Sequence, residues 1–70
     1  MNNNRDGICG LLATLPPNYR VNEIVVDGFN EDVFRFINLE EDTYLAYFRE
    51  EDGGLVVADC RRISLVDFPA

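Results

Sequence analysis

From Tyr19 onward, hydrophobic and polar residues alternate in short runs separated by polar breaks. Tyr19 to Phe29 is rich in β-branched residues, at Val21, Ile24, Val25 and Val26. Tyr19 and Val21 fall on one parity, Ile24 and Val26 on the other, which predicts a bulge near Asn22-Glu23. After the polar break Asn30-Glu31-Asp32, Val33 to Leu39 alternates. Phe34 and Phe36 fall on one face there, with Val33, Arg35, Ile37 and Leu39 on the other. Glu40-Glu41-Asp42 makes the next break. Thr43 to Arg49 then sets Tyr44, Ala46 and Phe48 against Thr43, Leu45, Tyr47 and Arg49. Glu50 to Gly54 contains Asp-Gly-Gly, a strong turn signal. Leu55 to Cys60 follows, with Val56, Ala58 and Cys60 opposite Leu55, Val57 and Asp59, and Ile63 to Phe68 forms a last short strand before Pro69.

Five short strands with turns at roughly ten-residue spacing predict an all-β antiparallel meander. In strand count and turn spacing the chain resembles a small five-stranded SH3-like barrel, closed in part to remove sheet edges. That likeness concerns the fold and carries no function. The competing reading is α+β, with Asn30 capping a helix through Leu39 and a second helix from Thr43 to Asp52 ended by Gly53. Phe, Tyr, Val and Ile dominate both segments, and none is a strong helix former.

Residues 1–7, with three asparagines followed by Arg5-Asp6-Gly7, read as a disordered N-terminus. Residues 8–70 read as one small β domain. Its first segment, Ile8 to Leu15, is a short extension that suits a brief strand or a helical turn or two, ended by Pro16-Pro17. A chain of 70 residues buries only about 60% of the surface its unfolded form exposes. Its 47% hydrophobic content is ample for a core and leaves apolar area for contacts between subunits.

The net charge is -7, from thirteen acids and six arginines, without lysine, histidine or tryptophan. An acidic surface repels phosphate backbones and anionic membranes and suits a basic protein partner. Without histidine, neither a Ser-His nor a Cys-His nucleophile can be built, and zinc lacks ligands. No glycine-rich phosphate loop is present, and the acidic runs lack the alternating ligand spacing of a calcium loop. A non-enzymatic chain without cofactor or metal is therefore expected. Two cysteines, Cys9 and Cys60, make no disulfide framework, so both are expected as free thiols in a reducing cytoplasm.

The candidate partner-binding residues are the acids of two expected turns, Glu31, Asp32, Glu50, Glu51 and Asp52, which a meander would gather into one rim. Tyr44 and Tyr47 join them: Tyr44 and Phe48 cannot share a face with Leu45 and Tyr47, so one of these sets is expected outside the main core, as an exposed patch or subunit interface. The function expected from these is an acidic protein-binding module, a small regulator or inhibitor. One alternative is single-stranded nucleic acid bound by Phe34, Phe36, Tyr44, Tyr47 and Phe48 with Arg35 and Arg49 between them. The other is a structural subunit of a homo-oligomer.

Overall fold

The sharpest reversal in the chain is the two-residue turn Asp27-Gly28, where both residues have positive φ, 52° and 86°. Asp-Gly is the pair that suits a type I′ turn, and it sets Val26 opposite Phe29. The structure, a computed structural model, describes residues 7–70. The expected disordered start therefore lies outside the described residues, except for Gly7.

The elements are α1 (Gly7–Ala13), β1 (Tyr19–Arg20), β2 (Glu23–Val26), β3 (Phe29–Asp32), β4 (Arg35–Glu40), β5 (Leu45–Arg49), β6 (Leu55–Asp59), a 3-10 turn (Cys60–Arg62) and β7 (Ile63–Asp67). All pairings are antiparallel. They form a four-stranded sheet in the order β1-β4-β5-β6 and a three-stranded sheet in the order β3-β2-β7. The expected all-β character holds, but the architecture is seven strands in two sheets, not five in a closed barrel. The difference arises where the chain changes sheet. It passes from one sheet to the other at the corners Val21-Asn22 and Val33-Phe34, and again through the 3-10 turn Cys60–Arg62. Val21 N–H donates to Phe34 C=O and Val33 N–H to Asn22 C=O, both at 3.1 Å, which holds the corners side by side. The irregularity expected near Asn22 is thus a change of sheet.

The expected turn at Asn30 to Asp32 is also corrected. These residues lie inside β3, an edge strand exposed along its whole length, where polar side chains cost nothing. The other two turns fall where expected. β4 leads to β5 through Glu41 to Tyr44. In the β5–β6 turn, Gly53 N–H donates to Glu50 C=O (2.9 Å) and Glu50 N–H to Gly54 C=O (2.8 Å). Gly53 has φ 98°, the left-handed residue that a three-residue hairpin loop requires.

Phe36 and Phe48 meet edge-on with centroids 5.7 Å apart and are 2% and 0% exposed. Around them Val21, Ile24, Val33, Ala46 and Ile63 complete the core with Cys9, Leu12 and Cys60. Helix α1 closes this core, burying Cys9 and Leu12 from positions three apart. Two glycines in seven residues make it a poor helix on its own, so its packing must hold it. It ends in tightened bonds from Thr14 and Leu15 N–H to Leu11 and Leu12 C=O, followed by Pro16-Pro17.

A disulfide joins Cys9 to Cys60 and so ties α1 to the 3-10 turn. The expectation of two free thiols is overturned: helix formation aims Cys9 inward at the start of the 3-10 turn, across 51 residues of chain. This removes the ground on which a reducing cytoplasm was expected, since such bonds persist in oxidising compartments. No helix among the described residues is long and apolar enough to cross a membrane.

Candidate functional site

The uninterrupted alternation of β5 and β6 decides what the four-stranded sheet shows to solvent. Ala46, Phe48, Val56 and Ala58 point inward, while Leu45, Tyr47, Arg49, Leu55, Val57 and Asp59 form the outer face. On β4 the register slips between Phe36 and Asn38, leaving Ile37 as an extra residue. This bulge brings Leu39 to the core beside Ala46 and sets Asn38 and Glu40 on the outer face, opposite Tyr47 and Leu45. The strict alternation expected from Val33 to Leu39 is corrected accordingly: Val33 and Phe36 are buried, Phe34 and Arg35 are not.

The outer face is therefore ordered in three rows across the strands. At one end Arg20, Arg35, Arg49 and Leu55 lie in direct register on β1, β4, β5 and β6. In the middle lie Asn38, Tyr47 and Val57. At the other end lie Glu40, Leu45 and Asp59. Leu55 is 56% and Val57 46% exposed. The face thus grades from cationic through apolar to anionic.

Like charges directly opposite one another on adjacent strands oppose folding. Here no carboxylate of the described residues pairs with Arg20, Arg35 or Arg49. Their guanidinium groups are held instead by neutral partners. Arg35 Nη1 donates to Asn18 C=O (2.9 Å) and Arg49 Nη1 to Gly53 C=O (3.2 Å). The Cζ atoms of Arg20 and Arg35 each lie 4.6 Å from the centroid of Phe34. These contacts leave most guanidinium N–H donors free, since each group carries five.

At the anionic end, Tyr47 Oη donates to Glu40 Oε1 (3.2 Å). Loss of hydration first, and the Glu40 carboxylate second, raise the Tyr47 phenol above its ordinary pKa. Asp59 takes a forked pair from Arg61, Nε to Oδ1 at 3.0 Å and Nη2 to Oδ2 at 2.7 Å, and accepts Arg61 N–H at 2.8 Å. The side-chain bonds, more than any other cause, lower the Asp59 pKa to about 2. A carboxyl lowered in the folded state stabilises the fold above its unfolded pKa, and that contribution is lost as pH falls towards 2. In a carboxyl NMR titration, Asp59 should have a midpoint near 2, and Arg61→Ala should return it to the ordinary range of about 3.9. An unchanged midpoint in Arg61→Ala would mean that another cation holds the carboxylate.

The residues expected to bind a partner are brought together in part. Glu50, Glu51 and Asp52 occupy the β5–β6 turn, while Glu31 and Asp32 lie on β3 rather than in a turn. Phe34 N–H donates to Arg49 C=O (2.8 Å), so Asp32 and Glu50 flank one junction between the sheets. The two hairpin turns expected to form the rim are thus one turn and one edge strand. Tyr47 is on the outer face, but Tyr44 is separated from it. Tyr44 sits in the β4–β5 turn at φ 63°, a strained backbone for an aromatic residue, with Arg61 Cζ 4.1 Å above its ring. Its C=O accepts Cys60 N–H (2.8 Å), and it packs against the core. Of the aromatic set considered for base stacking, Phe36 and Phe48 are buried in that core. Arg20 had no place in the sequence reading. Its alignment with Arg35 and Arg49 depends on register across two strand pairs, which no local pattern reveals.

Among the described residues, no group of His, Cys, Asp or Glu side chains is arranged to hold a metal ion. No protein-family model, curated protein or solved structure matches the chain.

Proposed function

We propose that this chain is a non-enzymatic protein-binding module whose recognition surface is the outer face of the four-stranded sheet. The observation that carries the reading is the row Arg20–Arg35–Arg49, unmatched by any carboxylate in the ion pairs of the described residues and set beside half-buried Tyr47 and exposed Leu55 and Val57. Three of only six cations in a chain of charge -7 stand in one line, where they oppose folding. A partner that brings carboxylates to this row, and apolar side chains to Tyr47 and Val57, relieves that repulsion. Arginine and tyrosine beside an apolar centre also match the composition of protein interfaces. The acids Glu31, Asp32, Glu50, Glu51 and Asp52 act at the rim, where they speed encounter with basic groups of the same partner. In strand order, with a 3-10 turn before the last strand, we read the scaffold as an open relative of SH3-like barrels, a likeness of shape only.

The second reading is single-stranded nucleic acid, favoured by Phe34 with Arg20 and Arg35 beside it. The net charge opposes it, and the burial of Phe36 and Phe48 leaves few stacking surfaces.

Immobilised wild-type protein and the variant Arg35→Glu/Arg49→Glu, each confirmed as folded, should be compared in capture from source-cell lysate. A protein retained by the wild type and lost by the variant is expected. In kinetic binding to that protein, Glu50→Lys/Glu51→Lys should lower the association rate in a salt-dependent way and leave the dissociation rate nearly unchanged. Equal retention by wild type and variant would overturn the assignment of the face. Tight binding of fluorescein-labelled oligo-dT or oligo-U at moderate salt, lost in Arg35→Glu/Arg49→Glu, would favour the nucleic-acid reading instead.

A further inference from the structure

Strand β6 ends the four-stranded sheet and, among the described residues, is hydrogen-bonded on one side only, to β5. Glu50 N–H bonds to Gly54 C=O and Cys60 N–H to Tyr44 C=O, so the pairs Phe48–Val56 and Ala46–Ala58 exchange the ladder bonds. The N–H and C=O groups of Leu55 and Val57 and the N–H of Asp59 therefore point towards the open edge, while the Asp59 C=O opens the 3-10 turn. Edge strands are commonly blunted by charge, proline or shortness. β1 has two residues, β3 carries Glu31 and Asp32 and β7 lies against α1, but β6 reads Leu-Val-Val-Ala-Asp, and its one acid is engaged by Arg61.

We infer that β6 pairs with β6 of a second copy of this chain, antiparallel, about a two-fold axis at Val57. The charges of the chain select this occupant. The acidic turn Glu50 to Asp52 precedes β6 and Arg61-Arg62 follows it, so antiparallel pairing lays each acidic turn near these arginines, which already bridge Asp59 and Asp27 of their own copy. With Val57 opposite its counterpart, Leu55 faces Asp59 of the second copy. The cationic row Arg20–Arg35–Arg49–Leu55 then continues into the Asp59–Leu45–Glu40 row of the other copy. A parallel or shifted pairing loses this match. The open-edge N–H and C=O groups of the two Val57 residues find each other in this register, and their exposed side chains cover one another. The two outer faces become one continuous surface with both Tyr47 residues accessible. This inference stands apart from the proposed partner, because it concerns the purified chain alone.

Sedimentation equilibrium of the purified, oxidised protein should give the mass of two chains, and Val57→Lys should give one chain with an unchanged circular dichroism spectrum. Oxidised Val57→Cys should form a covalent dimer efficiently, whereas Leu65→Cys, on exposed β7, should not. A wild type that is monomeric at millimolar concentration would overturn the pairing. So would a Val57→Lys variant that stays dimeric, or an assembly larger than two.

Discussion

Reducing the Cys9–Cys60 bond should cost about 4 kcal/mol of stability, the loop-closure entropy released when a cross-link spanning some fifty residues is opened. A domain of this size has on the order of 4–10 kcal/mol in total, so reduction should remove a large share of its stability. The effect should fall first on α1. A seven-residue helix with two glycines has little stability of its own, and the bond is its covalent tie to the 3-10 turn. Denaturant titration with and without reductant, with thiol counting to confirm reduction, measures this directly. Cys9→Ala should reproduce the loss without reductant. An unchanged midpoint in a fully reduced sample would mean that packing of Leu12 and its neighbours alone fixes the helix.

The second large effect belongs to the paired rings. Phe36→Ala or Phe48→Ala should each cost about 3–5 kcal/mol, because both rings are almost wholly buried and neither sheet can collapse into the space left. The double variant should lose less than the sum of the two, since each ring is the other's edge-on neighbour. Thermal or chemical denaturation of the three variants decides this. A loss below about 1 kcal/mol for Phe36→Ala would place that ring outside the core.

The parts of the fold that could be read in the sequence are those where alternation runs unbroken. β5 and β6 have their inward sets, Ala46 with Phe48 and Val56 with Ala58, where period-two counting puts them. The β5–β6 turn was legible from Asp52-Gly53-Gly54. Counting fails upstream for three local reasons. Asp27-Gly28 is itself a hairpin signal, but the polar run Asn30 to Asp32 just after it looks more like a loop than it is and draws the expected turn past it. The corners at Val21-Asn22 and Val33-Phe34 divide two runs between sheets. The extra residue Ile37 reverses parity for the rest of β4.

The candidate site was legible only in part for the same reason. Glu50 to Asp52 and the outward Tyr47 follow from local pattern. Tyr44 does not, because its left-handed backbone delays β5 until Leu45. The arginine row and the disulfide are tertiary facts, since each joins residues far apart in the chain.

The claim that the outer sheet face is the recognition surface is tested most directly by amide chemical-shift mapping of the 15N-labelled protein on addition of the captured partner. Shifts should concentrate at Arg35, Asn38, Tyr47, Arg49, Leu55 and Val57, with smaller changes in the Glu50 to Asp52 turn. Shifts confined to α1 or to the β3-β2-β7 sheet, with the arginine row unmoved, would contradict it.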